Sequence, residues 1–254
     1  MENDILVTMQ EDLQRALKKP AKDVRWAMLI NARKCVGCHS CTAGCAAENA
    51  SPPGVLYRPV FEQEEGTYPN VKRTFVSRPC MQCDKPPCVD ACPNKGKATR
   101  KGTEGVSNGI VVIDYDQCIG CAKCVPACPY QARSMDQGKF HAEYAPSIPA
   151  YEKRPADEYG KKWPREAYNL PIGNARKCHF CLHRVKNGML PTCTTTCICG
   201  GVYFGDENDP ESVISKVKKA NKVVTVQSVT DGRPMFGKAT FGASPTRPRV
   251  YHIL

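Results

Sequence analysis

The chain has 254 residues, which suits one or two compact domains, and 17 of them are cysteines. Few Phe, Trp and Tyr residues argue against a large aromatic core, while 21 prolines, 19 glycines and a mean hydropathy of −0.44 indicate a loop-rich chain that needs internal staples such as metal clusters. The formal net charge is +11, and no apolar run approaches the roughly 18–20 residues of a membrane helix.

The N-terminal residues 1–24 read as a docking helix or arm. A short helix is predicted from Glu11 to Lys19, acidic at its start and basic at its end. Its apolar stripe consists of Leu13, Ala16 and Leu17. The first residues contain no basic region, apolar stretch or twin arginine, so we expect no export signal of the chain's own. It would either stay inside the cell or be exported with a signal-bearing partner.

The cysteines fall into four groups of four. The first and third have the spacing C-x2-C-x2-C-x3-C, the second C-x2-C-x4-C-x3-C, and the fourth C-x2-C-x11-C-x3-C. In chain order the groups are Cys35, Cys38, Cys41 and Cys45; Cys80, Cys83, Cys88 and Cys92; Cys118, Cys121, Cys124 and Cys128; and Cys178, Cys181, Cys193 and Cys197. Cys199 is left over.

This spacing is typical of cubane iron–sulfur clusters. A C-x2-C-x2-C loop winds around a cube, so that three thiolates reach three irons and backbone N–H groups face the sulfides. The fourth cysteine lies one helical turn further on, and in two-cluster ferredoxins it ligates the other cluster. Pro93 and Pro129 follow the last cysteines of the second and third groups, as expected for the first turn of a short helix. The pattern predicts four 4Fe–4S clusters.

Other uses of the cysteines fit less well. Disulfides are disfavoured because the cysteine count is odd and the crowded runs would compete for wrong pairings. Structural zinc joins two C-x2-C elements across a longer loop, and only the fourth group resembles that arrangement. Each 4Fe–4S core with four thiolates carries a charge of about −2, so four would leave about +3 of the positive charge. We therefore interpret the basic excess as counter-charge to clusters, with a nucleic-acid-binding metalloprotein as the alternative.

A strand that leads into a cluster loop recurs along the chain. The apolar runs Trp26–Ile30 and Ile110–Ile113 each end five residues before the first cysteine of a group. Phe75 and Val76, before the second group, form a weaker copy. This is the strand, cluster loop and helix unit of bacterial ferredoxins, repeated.

The later segments carry fewer motifs. Residues 140–171 read as a long loop that covers a surface or a partner. Asp209 and Pro210 are predicted to be the N-cap and first residue of a helix. Strands are expected over 223–229 and 250–254, with an Asp231-Gly232 turn after the first.

Taken together, the motifs resemble the four-cluster ferredoxin subunits of the dimethyl-sulfoxide reductase family, which include the electron-transfer subunits of polysulfide, thiosulfate, tetrathionate, arsenate and dimethyl-sulfoxide reductases. The segments Arg78-Pro79-Cys80-Met81-Gln82-Cys83 and Gly205-Asp206-Glu207-Asn208-Asp209-Pro210 carry the likeness, which covers about residues 25 to 215. It implies an α+β fold of two interleaved bacterial-ferredoxin-like (βαβ-type) modules with long loop insertions, stapled by clusters. The expected parts are 25–75 with 172–208 for one module, 76–138 for the other, 139–171 as a loop insertion and 209–254 as a C-terminal helix and strands.

The resemblance also implies partners. The chain would relay electrons between a large molybdenum or tungsten bis-pterin catalytic subunit and an integral-membrane quinone-reactive subunit. It would carry no catalytic residue and bind no nucleic acid. We expect a peripheral position in a membrane-associated complex, on the extracytoplasmic face by co-export. The alternatives are an iron–sulfur subunit of a cytoplasmic formate dehydrogenase or hydrogenase complex, and a self-contained iron–sulfur enzyme, which would need an iron that the cysteines leave open.

By the same resemblance, the first group pairs with the fourth and the second with the third. The implied ligand sets are Cys35, Cys38, Cys41 and Cys197; Cys45, Cys178, Cys181 and Cys193; Cys80, Cys83, Cys88 and Cys128; and Cys92, Cys118, Cys121 and Cys124. The third group lacks the aromatic substitution of relatives with a three-iron cluster, so four irons are expected there. The Cys-Pro pair usual in the last group is replaced by Cys197-Ile198-Cys199. We predict Cys197 as the ligand and Cys199 as a spare, because a gap of three residues recurs in all four groups.

Several residues beside the cysteines are secondary candidates. The histidines are His39, His179 and His183, interpreted as ordinary loop residues, with tuning of the cluster potential as the alternative. The cations are Lys34, Lys123, Arg176 and Lys177, which either stabilise anionic clusters or are solvated surface charges. Tyr130 and Phe180 are expected to shield clusters from water.

Overall fold

The computed structural model describes residues 4–166, 169–230 and 237–254. In these ranges the helices are short. They are α1 (Ile5–Leu17), α2 (Ser40–Glu48), α3 (Pro87–Asp90), α4 (Leu182–Lys186), α5 (Thr192–Thr195) and α6 (Val213–Ala220), with single 3-10 turns at Ala21–Asp23, Ala32–Lys34 and Gly105–Ser107. No helix in this part of the chain is both long and apolar enough to cross a bilayer.

The strands form small sheets. They are β1 (Trp26–Asn31), β2 (Val60–Thr67), β3 (Asn70–Ser77), β4 (Thr99–Lys101), β5 (Val111–Ile113), β6 (Ser134–Met135), β7 (Ala156–Glu158), β8 (Lys161–Trp163), β9 (Ala175–Arg176), β10 (Val202–Asp206), β11 (Val226–Thr230), β12 (Lys238–Phe241) and β13 (Val250–Ile253). Strand β1 lies between β10, which is antiparallel to it, and β13, which is parallel. The other strands described pair as β2–β3, β4–β5, β6–β9, β7–β8 and β11–β12.

The main core is built around β1. Its first five residues are buried, and the ring of Trp26 stacks on Phe204 of β10 at 5.5 Å. Helices α1 and α6 contact β10 and each other. Because the strand is covered on both faces, an apolar run is required rather than an alternating one. The chain is thus a mixed α/β structure of few helices and small sheets, compatible with a ferredoxin-like 4Fe–4S domain.

Both flanking helices begin at other residues than expected. Helix α1 starts at Ile5 because the Asp4 carboxylate accepts the Leu6 N–H at 2.9 Å, so it extends further toward the N-terminus than the charge pattern indicated. Helix α6 is capped by Ser212, not Asp209. The prediction of Asp209 as N-cap is wrong. One Asp209 carboxylate oxygen accepts the Glu211 N–H at 3.0 Å in a turn before the helix and the other binds Arg15 at 2.9 Å, while the Ser212 side chain accepts the Ser215 N–H of the first helical turn.

Other differences concern turns and loops. Pro93 and Pro129 lie in turns rather than at helix starts. The segment expected as a long loop contains the β7–β8 hairpin, in which the Trp163 indole N–H donates to the Glu158 carbonyl at 2.9 Å. The predicted Asp231-Gly232 turn lies outside the described residues.

Candidate metal centres

The cysteines come together in four places. Sites 1, 3 and 4 each border a small cavity. Site 1 contains Cys35, Cys38, Cys41 and Cys197; site 3 contains Cys80, Cys83, Cys88 and Cys128; site 4 contains Cys92, Cys118, Cys121 and Cys124. In site 2 the buried thiols Cys178, Cys181 and Cys193 have the largest electrostatic interactions with Cys45, which is also buried. Each site thus combines three cysteines of one group with the fourth cysteine of another. The assignment of these thiols as ligands of particular clusters stays a prediction.

Cys199 also borders the site 1 cavity. The Sγ of Cys197 accepts the Gly201 N–H at 3.3 Å. In the described part of the chain, no three or more His, Cys, Asp or Glu side chains converge on a position for a single metal ion. The cysteines thus surround cavities rather than the position of a single metal ion.

Each cluster loop contains the same backbone reversal. The second residue after the first cysteine has a positive φ in all four groups, namely 70° at Gly37, 47° at Gln82, 68° at Gly120 and 57° at Phe180. Glycine takes this conformation without strain, whereas the other two residues need support from their surroundings. Gln82 has such support, because its amide donates to the Cys178 carbonyl at 2.7 Å and accepts the Val111 N–H at 2.9 Å. That side chain ties the site 3 loop to the site 2 loop.

The last cysteine of three groups accepts a hydrogen bond from the residue four positions further on. Besides Cys197, the Sγ of Cys128 accepts the Ala132 N–H at 3.4 Å, and the Sγ of Cys45 accepts the Asn49 side-chain N–H at 3.4 Å. Donors aimed at a sulfur stabilise its anionic, metal-bound form and tune the metal.

Several of the thiols are buried enough to resist ionisation by themselves. Burial, followed by neighbouring thiolates, raises the pKa of Cys83 and of Cys178 to about 12. The same two effects raise the pKa of Cys128 to about 11. A metal ligand must lose this proton, so cluster assembly releases protons that the thiols otherwise retain.

Buried cations provide the clearest test of whether anionic clusters fit. Arg58, Arg78, Arg133 and Lys177 are exposed by only 1%, 2%, 4% and 0%. None of the ion pairs within 4–166, 169–230 and 237–254 includes them, and each arginine has at least one buried nitrogen without a hydrogen-bond partner. A buried cation without a counter-charge is strongly destabilising. Anionic 4Fe–4S clusters on the adjacent thiolates would supply that counter-charge, so the residues fit the predicted cofactor.

Each of these cations interacts electrostatically with thiols of two sites. The thiols that interact most strongly with the charge of Arg58 are Cys193 of site 2 and Cys41 of site 1. Those that interact most strongly with the charge of Arg133 are Cys88 of site 3 and Cys124 of site 4. The guanidinium of Arg133 also donates to the Cys88 Sγ at 3.2 Å. The positions of these arginines were not predicted, because neither is adjacent to a cysteine motif.

A similar bridge joins the middle two sites. The thiols that interact electrostatically with Arg78 are Cys128 and Cys80 of site 3 and Cys178 of site 2. Those acting on Lys177 come from the same two sites. Burial is the largest influence on both and lowers the pKa of Arg78 to about 10. The shared cations thus connect site 1 with site 2, site 2 with site 3 and site 3 with site 4.

The secondary candidates have varied surroundings. Arg176 is fully buried, but it is neutralised by Glu158 at 2.9 Å and Asp136 at 3.1 Å, so its main partners are carboxylates. His183 lies 2.8 Å from Glu48. Tyr130 and Phe180 are each 1% exposed, which suits side chains that keep water from the clusters.

Comparison with known proteins gives a consistent family. The model of the 4Fe-4S dicluster domain matches residues 71–144 and 163–207. A selenate reductase subunit of Mesobacillus selenatarsenatis is 51% identical over 91% of this chain and 77% of its own length. A tetrathionate reductase subunit of Salmonella typhimurium is 37% identical over 75% of this chain and 62% of its own. The arsenate respiratory reductase iron-sulfur subunit of a Shewanella species is 30% identical over 91% of this chain and 96% of its own length.

Proposed function

We propose that the chain conducts electrons through sites 1 to 4 in that order. It belongs to the family of iron–sulfur electron-transfer subunits of the molybdopterin reductases and carries four 4Fe–4S clusters. This series of clusters would transfer electrons between a molybdenum or tungsten bis-pterin catalytic subunit and a membrane subunit that reacts with quinone. Relatives include the iron-sulfur cluster-binding subunit of a menaquinone reductase and one chain of a polysulfide reductase.

The proposed ligands are the four cysteines of each site. Sites 1 and 2 would form one ferredoxin-like module and sites 3 and 4 the other, interleaved in the chain because the fourth cysteine group returns to the first. The shared cavities and the crossed charge interactions support this arrangement. When bound, the clusters supply one-electron redox chemistry, while the protein binds them, excludes water and sets their potentials.

The observation that carries the proposal is the difference in exposure between the cysteines of site 2 and those of the terminal sites 1 and 4. The site 2 cysteines are all buried, whereas Cys38 in site 1 and Cys121 in site 4 are exposed. Apolar side chains surround both exposed ends: Val36 and Ile198, exposed by 58% and 71%, beside site 1, and Ile119, exposed by 69%, beside site 4. A chain that exposes a cysteine at each terminal site and encloses site 2 between them is suited to receive electrons from one partner and deliver them to another.

We further propose that the catalytic partner reduces an oxyanion of the selenate class, on the extracytoplasmic side of the membrane. The 51% identity with a selenate reductase subunit, which spans nearly the whole chain, supports the substrate class.

Anaerobic affinity purification of the tagged chain from native membranes tests both parts. We expect a larger subunit containing molybdenum or tungsten to copurify. In the dithionite-reduced complex, selenate should restore the absorbance of oxidised clusters while sulfate, an oxyanion of the same shape and charge, should not. A chain that elutes alone would contradict the relay. Cluster reduction by formate, with no reoxidation by selenate, would favour the formate dehydrogenase alternative.

A further inference from the structure

Arg58 and Arg133 occupy equivalent places in the two pairs of sites. Both side chains are buried, with exposed fractions of 1% and 4%. Arg58 interacts electrostatically with thiols of sites 1 and 2, and Arg133 with thiols of sites 3 and 4, among them Cys88, to which it donates at 3.2 Å. Each pair of neighbouring clusters would therefore share one guanidinium.

The charge of these two arginines is not cancelled by protein groups. The Nη1 of Arg58 lies 2.8 Å from the Met28 sulfur, a weak acceptor, while its Nε and Nη2 have no partner. Arg133 donates to the Thr99 hydroxyl at 3.4 Å and to the Cys88 thiol, and its Nε has no partner. Arg176 is buried as deeply but binds two carboxylates. These two guanidiniums, like that of Arg78, are thus left to interact with the sites themselves.

A fixed cation between two clusters has a calculable effect on their redox chemistry. Reduction adds a negative charge to a cluster, so a nearby positive charge stabilises the reduced form more than the oxidised form. Arginine does not lose its proton under these conditions, and its charge therefore persists at every working pH. The same cation attenuates the repulsion between electrons on the two adjacent clusters.

We propose that Arg58 sets the reduction potentials of the clusters in sites 1 and 2, and Arg133 those in sites 3 and 4, by holding an uncompensated positive charge between the two members of each pair. This inference depends on the ligand sets proposed above. It assigns potential control to two residues outside the cysteine motifs, one in each pair of sites.

Redox titration of the anaerobically purified complex, followed by electron paramagnetic resonance, tests the proposal with Arg58→Gln, Arg133→Gln and the double variant. Removal of the charge should lower the reduction equilibrium constant about tenfold or more, which is 59 mV for a one-electron couple. Two of the chain's four potentials should fall in each single variant, a different two in each, and all four in the double variant. Arg73→Gln is the matched control, because Arg73 is exposed and paired with Glu62 and Glu64.

The charge-conserving variants Arg58→Lys and Arg133→Lys separate electrostatics from packing. We expect them to keep all potentials within about threefold of the wild-type equilibrium constants. If a Gln variant assembles fewer clusters, the Lys variant at the same position distinguishes the two roles. Full iron content with unchanged potentials in the Lys variant supports the role of charge. Loss of iron in the Lys variant as well assigns the arginine to packing and overturns the proposal. Unchanged potentials in the Gln variants also overturn it. A wild-type chain with fewer than four cubanes would instead contradict the proposed function.

Discussion

Glu158→Gln would remove a negative charge at the centre of a buried network. Glu158 is fully buried, and its carboxylate accepts the Tyr57 hydroxyl at 2.6 Å, the Arg176 guanidinium at 2.9 Å and the Tyr115 hydroxyl. Breaking a buried ion pair by removal of one partner costs about 3–5 kcal/mol. Arg176 would keep Asp136 at 3.1 Å, so we expect the lower end of that range, about 3 kcal/mol of unfolding free energy.

Urea denaturation at pH 7, followed by near-ultraviolet circular dichroism, measures this change. The matched control is Glu64→Gln, because Glu64 is exposed and its pair with Arg73 at 3.3 Å lies on the surface. That substitution should change the unfolding free energy by less than about 1 kcal/mol. Equal stabilities of the two variants would refute the view that the network holds the β7–β8 hairpin on the cluster-binding core.

Three further predictions concern single residues. Burial lowers the pKa of His252 to about 4 from its ordinary 6.5, so the unfolded chain binds a proton that the folded chain does not. Stability should therefore fall by about 2 kcal/mol between pH 7.5 and pH 5, and His252→Gln should remove that part of the slope in urea titrations; an unaltered slope would contradict it. Cys197→Ser should lose about four of some 16 irons by chemical analysis and Cys199→Ser none, and the reverse result would make Cys199 the ligand. Gly120→Ala should also lose about four irons, because φ is +68° and the new Cβ would lie 2.5 Å from a backbone oxygen; Gly96→Ala, at φ +79° with open space, should keep them all, and equal iron in both would count against the steric argument.

The sequence carried the local part of the structure well. The apolar runs before the first and third cysteine groups are strands β1 and β5, as predicted. The helix bounds were less predictable, because α1 and α6 depend on the caps Asp4 and Ser212 rather than on the charge pattern alone.

Long-range features left no local signal. Cysteine spacing shows which thiols are adjacent in the chain, but the exchange of fourth cysteines between distant groups was available only through the resemblance. Glu158 meets Tyr57 and Tyr115 across 101 and 43 residues, so no motif could have revealed the network. The interaction of Arg58 and of Arg133 with thiols of two sites arises only in the folded chain, so the sequence alone did not indicate it.

Quantification of iron, acid-labile sulfide and zinc in the anaerobically purified chain, with Mössbauer spectroscopy of the iron, tests the central claim most directly. The claim is that all four cysteine sites hold cubane clusters. We predict about 16 iron and 16 sulfide per chain, negligible zinc and spectra of 4Fe–4S centres only. Iron near eight per chain with stoichiometric zinc would contradict it.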